Sequence, residues 1–229
     1  MRKTLFILLL LLGCTSEEPS HPISHPTLGR SAYFSTYDGQ RKQPSWVYER
    51  LTEATLQGDV ERSSFSFVED PNLPKPLRSS NGDYKGSSFD RGHLCPAGDA
   101  HSSPDAMKET FYLSNISPQV PELNRGLWRK LEAHVRQLTA NHPVLHVYTG
   151  PLYLSYKDSD GKRYVKYQVI GNNEVAVPTH YFKAVFTQNN RFIEGYIIPN
   201  QPLEASLSFD KFKTSVEAIE RSAGLAFSR

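Results

Sequence analysis

The chain has 229 residues, with 26 Lys and Arg against 24 Asp and Glu. Its content of 38% hydrophobic and 22% charged residues is ordinary globular composition, which bounds it at one medium domain with an N-terminal appendage. Without Arg2 and Lys3, which fall in a segment expected to be removed, basic and acidic residues are equal in number, so bulk charge cannot hold a polyanion and a local basic surface would have to.

Residues 1–13 read as a signal peptide of the lipoprotein type: Arg2 and Lys3 precede the apolar block Leu5 to Leu12, which is too short to span a bilayer as a helix. The run ends Leu12-Gly13-Cys14, placing Cys14 where a bacterial envelope lipoprotein carries its lipid. The expectations are an exported protein, attached through Cys14 as a periplasm-facing or outer-membrane lipoprotein, or else a secreted one with an incidental cysteine. Residues 14–30, rich in Pro, Ser and Thr, read as a flexible tether, and the His21-Pro22 and His25-Pro26 pairs within it as linker rather than metal ligands. The folded body is expected over 31–229. Lipid on Cys14 would leave Cys95, the other cysteine of the chain, as a small buried packing residue.

Strand patterns follow at Ser31–Tyr37, closed by an Asp38-Gly39 turn, and at Trp46–Tyr48. The Pro- and Gly-bearing stretch from Asp70 to Gly86 reads as a long structured loop. Thr110–Leu113 reads as a short buried strand. Pro121 then opens a helix with an apolar stripe of Leu123, Leu127, Leu131, Val135 and Leu138. Further strands are predicted at Val144–Thr149, Tyr164–Ile170, His180–Phe186 and Phe192–Ile198, and a last helix over Phe209–Ser222, ending at Gly224.

Two segments carry chemistry. Asp90-Arg91-Gly92-His93 joins an imidazole able to take a proton from water near neutral pH to a cation suited to phosphate. In the helix from Pro121, the amide oxygen of Asn124 suits a hard cation. Glu132 lies about 80° further round and about 12 Å up an ideal α-helix. That is too far for both to ligate one ion, but it suits a carboxylate holding the waters of a bound magnesium. Taken alone, Asn124 reads better as a capping residue and Glu132 as a solvated charge.

Together with Thr110–Gln119, Tyr148–Leu152, Tyr164–Gly171 and Val175–His180, these segments resemble the DNA/RNA non-specific endonucleases of the ββα-metal superfamily, nearest the endonuclease G branch. The resemblance covers roughly residues 31–227. It implies an α+β fold, mostly antiparallel sheet flanked by helices, and a magnesium-dependent enzyme, with manganese as a substitute, that leaves 5′-phosphate ends on DNA and RNA. By position it implies His93 as general base, Asn124 as the direct metal ligand and Glu132 as holder of the metal's waters. Arg91 would neutralise phosphate charge, Asn115 would orient the histidine or the substrate, and Arg62 would help stabilise the transition state. It also implies a homodimer. Lys85, Arg125, Arg129 and Lys130 are candidates, with Arg91, for the basic surface. The alternatives are a catalytically inactive nucleic-acid-binding module of the same fold, a small-molecule phosphodiesterase, and a surface adhesin.

Overall fold

The computed structural model describes residues 25–227. The predicted signal peptide, Cys14 and most of the tether lie outside the described residues. The strands are β1 (Thr27–Gly29), β2 (Tyr33–Asp38), β3 (Gln43–Leu51), β4 (Asp90–His93), β5 (Ile116–Gln119), β6 (Leu145–Leu152), β7 (Tyr156–Lys157), β8 (Arg163–Tyr164), β9 (Val169–Ile170), β10 (Val175–Ala176), β11 (His180–Thr187), β12 (Phe192–Pro199) and β13 (Lys213–Thr214). The helices are α1 (Glu53–Leu56), α2 (Asn81–Tyr84), α3 (Pro104–Thr110), α4 (Arg129–Gln137) and α5 (Val216–Ala223). Seven strands form an antiparallel sheet in the order β1-β2-β3-β6-β11-β12-β13. Three two-stranded pairs, β4–β5, β7–β8 and β9–β10, stand apart from it.

Alternation along β11 explains the layering, because successive side chains of a strand point to opposite faces. Tyr181 and Val185 pack with Val47, Val147 and Ile198 against the stripe Leu123, Leu127, Trp128, Leu131 and Val135. Phe182, Ala184 and Phe186 pack on the other face, against Val216 and Ile219 of α5. The sheet therefore lies between two helices. Each fully buried leucine of the stripe contributes about 2 kcal/mol, which fixes the Asn124–Glu132 helix on the sheet.

Several boundaries differ from the sequence expectation. The folded body begins earlier than residue 31, because β1 pairs with β2 and buries Leu28 within the predicted tether. Arg30 follows it, paired with the buried Asp70. Thr110–Leu113 is not a strand. Ser103 caps α3 through its side chain with Pro104 in the first turn, and a 3-10 turn over Leu113–Asn115 follows. Tyr164–Ile170 is not continuous either: its ends pair as β8 and β9, and the residues between have the strand pattern without a neighbouring strand. The last helix starts at Val216, capped by Ser215, after a 3-10 turn at Phe209–Phe212 and the short β13. It ends at Gly224, whose φ of 67° is the left-handed conformation glycine adopts freely.

Candidate active site

The motif Asp90–His93 is strand β4, paired antiparallel with β5 so that His93 faces Ile116 and Gly92 faces Ser117. The close approach at Gly92 favours glycine: a Cβ there would lie 2.1 Å from Gln119 Oε1, so a larger residue would displace the buried Gln119 side chain. The helix from Pro121 winds as a π-helix over Leu123–Trp128 before α4 begins. A π winding turns less per residue than an α-helix, so Asn124 and Glu132 lie nearer one face than ideal α geometry allows.

These elements enclose an open cavity of about 560 Å³ lined by Arg62, Arg91, His93, Asn124 and Glu132. Five of the six residues predicted for the site therefore converge there. Arg62 arrives from a distant loop and places its guanidinium 5.7 Å from the centre of the Phe111 ring. His93 is buried between Phe67 and Phe111, with ring centroids 5.2 and 5.1 Å away. Its Nε2 is buried from solvent and has no hydrogen-bond partner among the described residues. Burial, reinforced by the nearby charge of Arg62, pushes the His93 pKa down to about 3, so the ring is neutral at neutral pH.

Asn115, the sixth residue, does not reach the cavity. It is fully buried; its Oδ1 accepts from Cys95 N at 2.9 Å, and its Nδ2 donates to the carbonyls of Cys95 and Thr110, both at 2.9 Å. It meets no substrate position, and any hold it has on the histidine runs through the backbone rather than the ring. It clamps the backbone that follows His93.

Asp90 is a residue whose part the sequence did not show. Its carboxylate accepts from Asn124 Nδ2 at 2.9 Å and from Arg125 Nε and Nη2 at 2.7 and 2.6 Å. Burial raises its pKa, but the bonds from Arg125 and Asn124 outweigh burial and hold the carboxyl below its ordinary range. The amide of Asn124 is thereby oriented, with Nδ2 committed and Oδ1 free of protein donors among the described residues. Arg91 donates to Asn81 Oδ1 at 3.0 Å and lies 4.9 Å from the Phe67 ring centroid. Phe67, Arg129 and Arg136 also line the cavity. No pattern in the sequence marks Phe67.

Behind Glu132 lies a buried charged cluster. Cys95 Sγ donates to Glu49 Oε2 at 3.3 Å, Arg136 Nη1 to Asp99 Oδ1 at 2.7 Å, and Lys183 Nζ to Thr149 Oγ1 at 2.6 Å. Burial pushes Glu132 up to about 7 against the pull of Lys183 and Arg136, with Asp99 adding to the rise. Burial also holds the Cys95 thiol protonated, consistent with a packing role.

Among the described residues, no three His, Cys, Asp or Glu side chains converge to hold a metal. With the Asp90 carboxylate taken up by Asn124 and Arg125, the donors left open in the cavity are one neutral amide oxygen and the Glu132 carboxylate, beside a histidine kept neutral. That set fits a cation retaining most of its water, as magnesium does.

An unpartnered neutral imidazole beside an oriented amide, ringed by arginines on a strand-pair-and-helix frame, defines a nuclease of the ββα-metal class. The sequence profile of the DNA/RNA non-specific endonucleases matches residues 15–229. The chain is 44% identical to mitochondrial endonuclease G of Bos taurus over 201 residues, 86% of this chain and 67% of that protein. It is 43% identical to Nuclease C1 of Cunninghamella echinulata var. echinulata, over 87% of this chain and 81% of that protein. A crystal structure described as an EndoG/EndoGI complex superposes with a TM-score of 0.84 at 43% identity, covering 88% of this chain and 84% of that one. The chain belongs to the DNA/RNA non-specific endonuclease family, on its endonuclease G branch, and is an enzyme of that kind.

One expectation fails here. Relatives at this level of identity, including the Bos taurus and Homo sapiens endonucleases G and the Xenopus laevis nuclease EXOG, are named as mitochondrial proteins rather than envelope lipoproteins. The bacterial-envelope placement does not stand. It rested on a short basic and leucine-rich leader, a pattern that reports delivery to a membrane more directly than it reports which membrane.

Proposed function

We propose that the chain hydrolyses phosphodiester bonds of DNA and RNA with His93 as general base and a divalent cation, magnesium with manganese as substitute, held through Asn124 Oδ1. The observation that carries this reading is the convergence of neutral His93, the Asp90-oriented Asn124, Glu132 and Arg62 and Arg91 in one open cavity. His93 takes a proton from water, and the resulting hydroxide attacks phosphorus opposite the 3′ oxygen. The P–O3′ bond breaks with its electron pair going to O3′, which takes a proton from solvent water, leaving a 5′-phosphate and a 3′-hydroxyl. The phosphate's negative charge offsets the low basicity that burial gives the ring. Arg62 and Arg91 neutralise charge on the phosphate oxygens, and Glu132 would hold the waters of a bound cation. When bound, the cation supplies charge neutralisation at the leaving oxygen.

Exposed Arg62, Arg125 and Arg129 on the rim suit a polymer better than a small phosphodiester. Contacts to the backbone rather than to base edges make cleavage indifferent to sequence. The test is cleavage of plasmid and RNA by the full-length chain with magnesium, with EDTA, and with His93→Ala. The expected result is cleavage that EDTA abolishes and the substitution lowers by about 10²–10⁴-fold. Full cleavage by His93→Ala would refute the assignment, and absence of cleavage with every divalent ion tried would favour the binding-module alternative. The homodimer implied by the resemblance to endonuclease G is checked by sedimentation, where a monomer mass at micromolar concentration would refute it.

A further inference from the structure

Beyond Leu154 the chain leaves the body as a narrow ribbon. β7 and β8 pair Tyr156 with Tyr164 and Lys157 with Arg163. The turn is closed by Asp158 N donating to Lys162 O at 2.9 Å and Gly161 N to Asp158 O at 3.0 Å. Every residue from 156 to 169 is exposed. Of the seven large hydrophobic side chains exposed among the described residues, Tyr156, Tyr164, Val165, Tyr167 and Val169 all lie here. A two-stranded hairpin gains little stability by itself, and clustered exposed apolar side chains mark a binding surface.

The register says what that surface fits. Tyr156 and Tyr164 are side by side on one face, 43% and 40% exposed, with Lys157 and Arg163 on the other. Lys162 pairs with Asp160, and Arg163 donates to Ser155. Lys157 and Lys166 have no protein partner among the described residues. Exposed rings flanked by free ammonium groups match a single nucleic-acid strand, whose bases stack on aromatic faces while its phosphates meet cations. A duplex hides its base faces.

The root of the ribbon adjoins the catalytic frame. Ile170 and Val175 share an apolar cluster with Phe89 and with Ile116, the register partner of His93. Asn173 donates from N and Nδ2 to Asp83 at 3.0 and 2.9 Å. Asp83 belongs to α2, beside a cleft lined by Asn81, Lys85, Phe89 and Arg91, and that cleft shares Asp90 and Arg91 with the catalytic cavity.

We propose that a single nucleic-acid strand leaving the catalytic cavity passes Arg91 and Lys85 and crosses the edge of the ribbon, with bases on the Tyr156–Tyr164 face and phosphates on Lys166 and on Lys157, whose long stem carries its charge round from the opposite face. This rests on the nuclease reading above and extends its substrate contacts beyond the cleaved bond. The test compares kcat/KM on single-stranded oligonucleotides of about 6 and about 24 nucleotides, lengths that bracket the reach of such a surface, and on a duplex of the longer length. It uses the full-length chain, Tyr156→Ser with Tyr164→Ser, and Lys157→Ala with Lys166→Ala. The unsubstituted chain favours the longer substrate, and the tyrosine variant reduces that advantage about thirtyfold or more. The lysine variant lowers the slope of log(kcat/KM) against log salt by about 1.4, at about 0.7 for each single-strand phosphate left without its lysine. An unchanged length advantage in both variants, as a docking surface for a protein would give, overturns the proposal. An equal loss on both lengths in the lysine variant does the same, as does an equal loss on duplex and single strand in the tyrosine variant. If the unsubstituted chain cuts neither length, the nuclease reading fails instead. Anisotropy of the labelled longer strand then still reads the ribbon, through the weaker affinity of the two variants.

Discussion

Asn115→Ala separates a structural clamp from a group that touches substrate. The substitution strips a partner from Cys95 N, from the Cys95 carbonyl and from the Thr110 carbonyl, all in a fully buried position. Leaving a buried backbone group unpaired costs about 1 kcal/mol at the low end, so the three together come to about 3 kcal/mol. In a domain of this size each kcal/mol lowers Tm by about 2–4 °C, which gives a fall of about 6–12 °C. Asn115→Asp should do no better, because it replaces two N–H donors facing carbonyls with an acceptor. Thermal unfolding followed by circular dichroism reads the shift. Cleavage assayed well below both transitions should fall by no more than about tenfold, since Leu94 N still donates to the residue 115 carbonyl and holds the strand end. A Tm within about 2 °C of the parent would refute the clamp, as would a folded variant that had lost activity about 10³-fold or more.

The other expectations concern the cavity. Asp90→Ala frees the Asn124 amide and should weaken magnesium dependence about 10–100-fold, read from the magnesium concentration giving half-maximal rate; an unchanged value would mean that Asn124 needs no orienting. Arg62→Ala removes a charge that lowers the His93 pKa, so the ring should titrate at higher pH by NMR, and a fixed titration would sink that coupling. Because His93 titrates near pH 3 and Glu132 near 7, the acid limb of kcat/KM at low magnesium should follow Glu132, falling below about pH 7 and shifting down as magnesium rises. In EDTA the raised folded-state pKa of Glu132 stabilises the protein below its unfolded value, and that stability is lost as pH rises toward 7. Glu132→Gln should therefore flatten a fall on the order of 2 kcal/mol between about pH 4.5 and 7.5, measured by urea unfolding at several pH values; an equally steep fall in the variant would assign it elsewhere.

What the sequence disclosed followed from how local each signal is. The apolar stripe from Leu123 to Val135 specifies a helix and the side it buries, so the helix carrying Asn124 and Glu132 was readable, although its π winding was not. His93 and Arg91 stand together in one short run. Asn115 was legible as important but not in kind, because an amide serves equally to clamp a backbone or to meet a ligand. The part played by Asp90 depends on the β4–β5 pair meeting the helix start, which is a tertiary fact. Lys183 reads as one position of a β-strand, and only the packing of Trp128 over it, with Nζ 5.5 Å from the ring centroid, reveals a buried cation. Tyr164–Ile170 has a strand's alternation but no neighbour to pair with, and alternation alone cannot report a missing neighbour.

Leu51 and Leu145 are opposite rungs of the β3–β6 ladder, yet every cavity-lining side chain, from Arg62 to Arg136, lies on the stretch of chain between them. The reacting groups thus form one topological excursion, leaving the sheet at one rung and returning at the facing one. Bringing its ends together is a single loop-closure event, completed when β3 meets β6. A change of chain order elsewhere, such as new termini opened in the exposed Asn189–Asn190 turn, would leave the whole catalytic set on one uninterrupted segment.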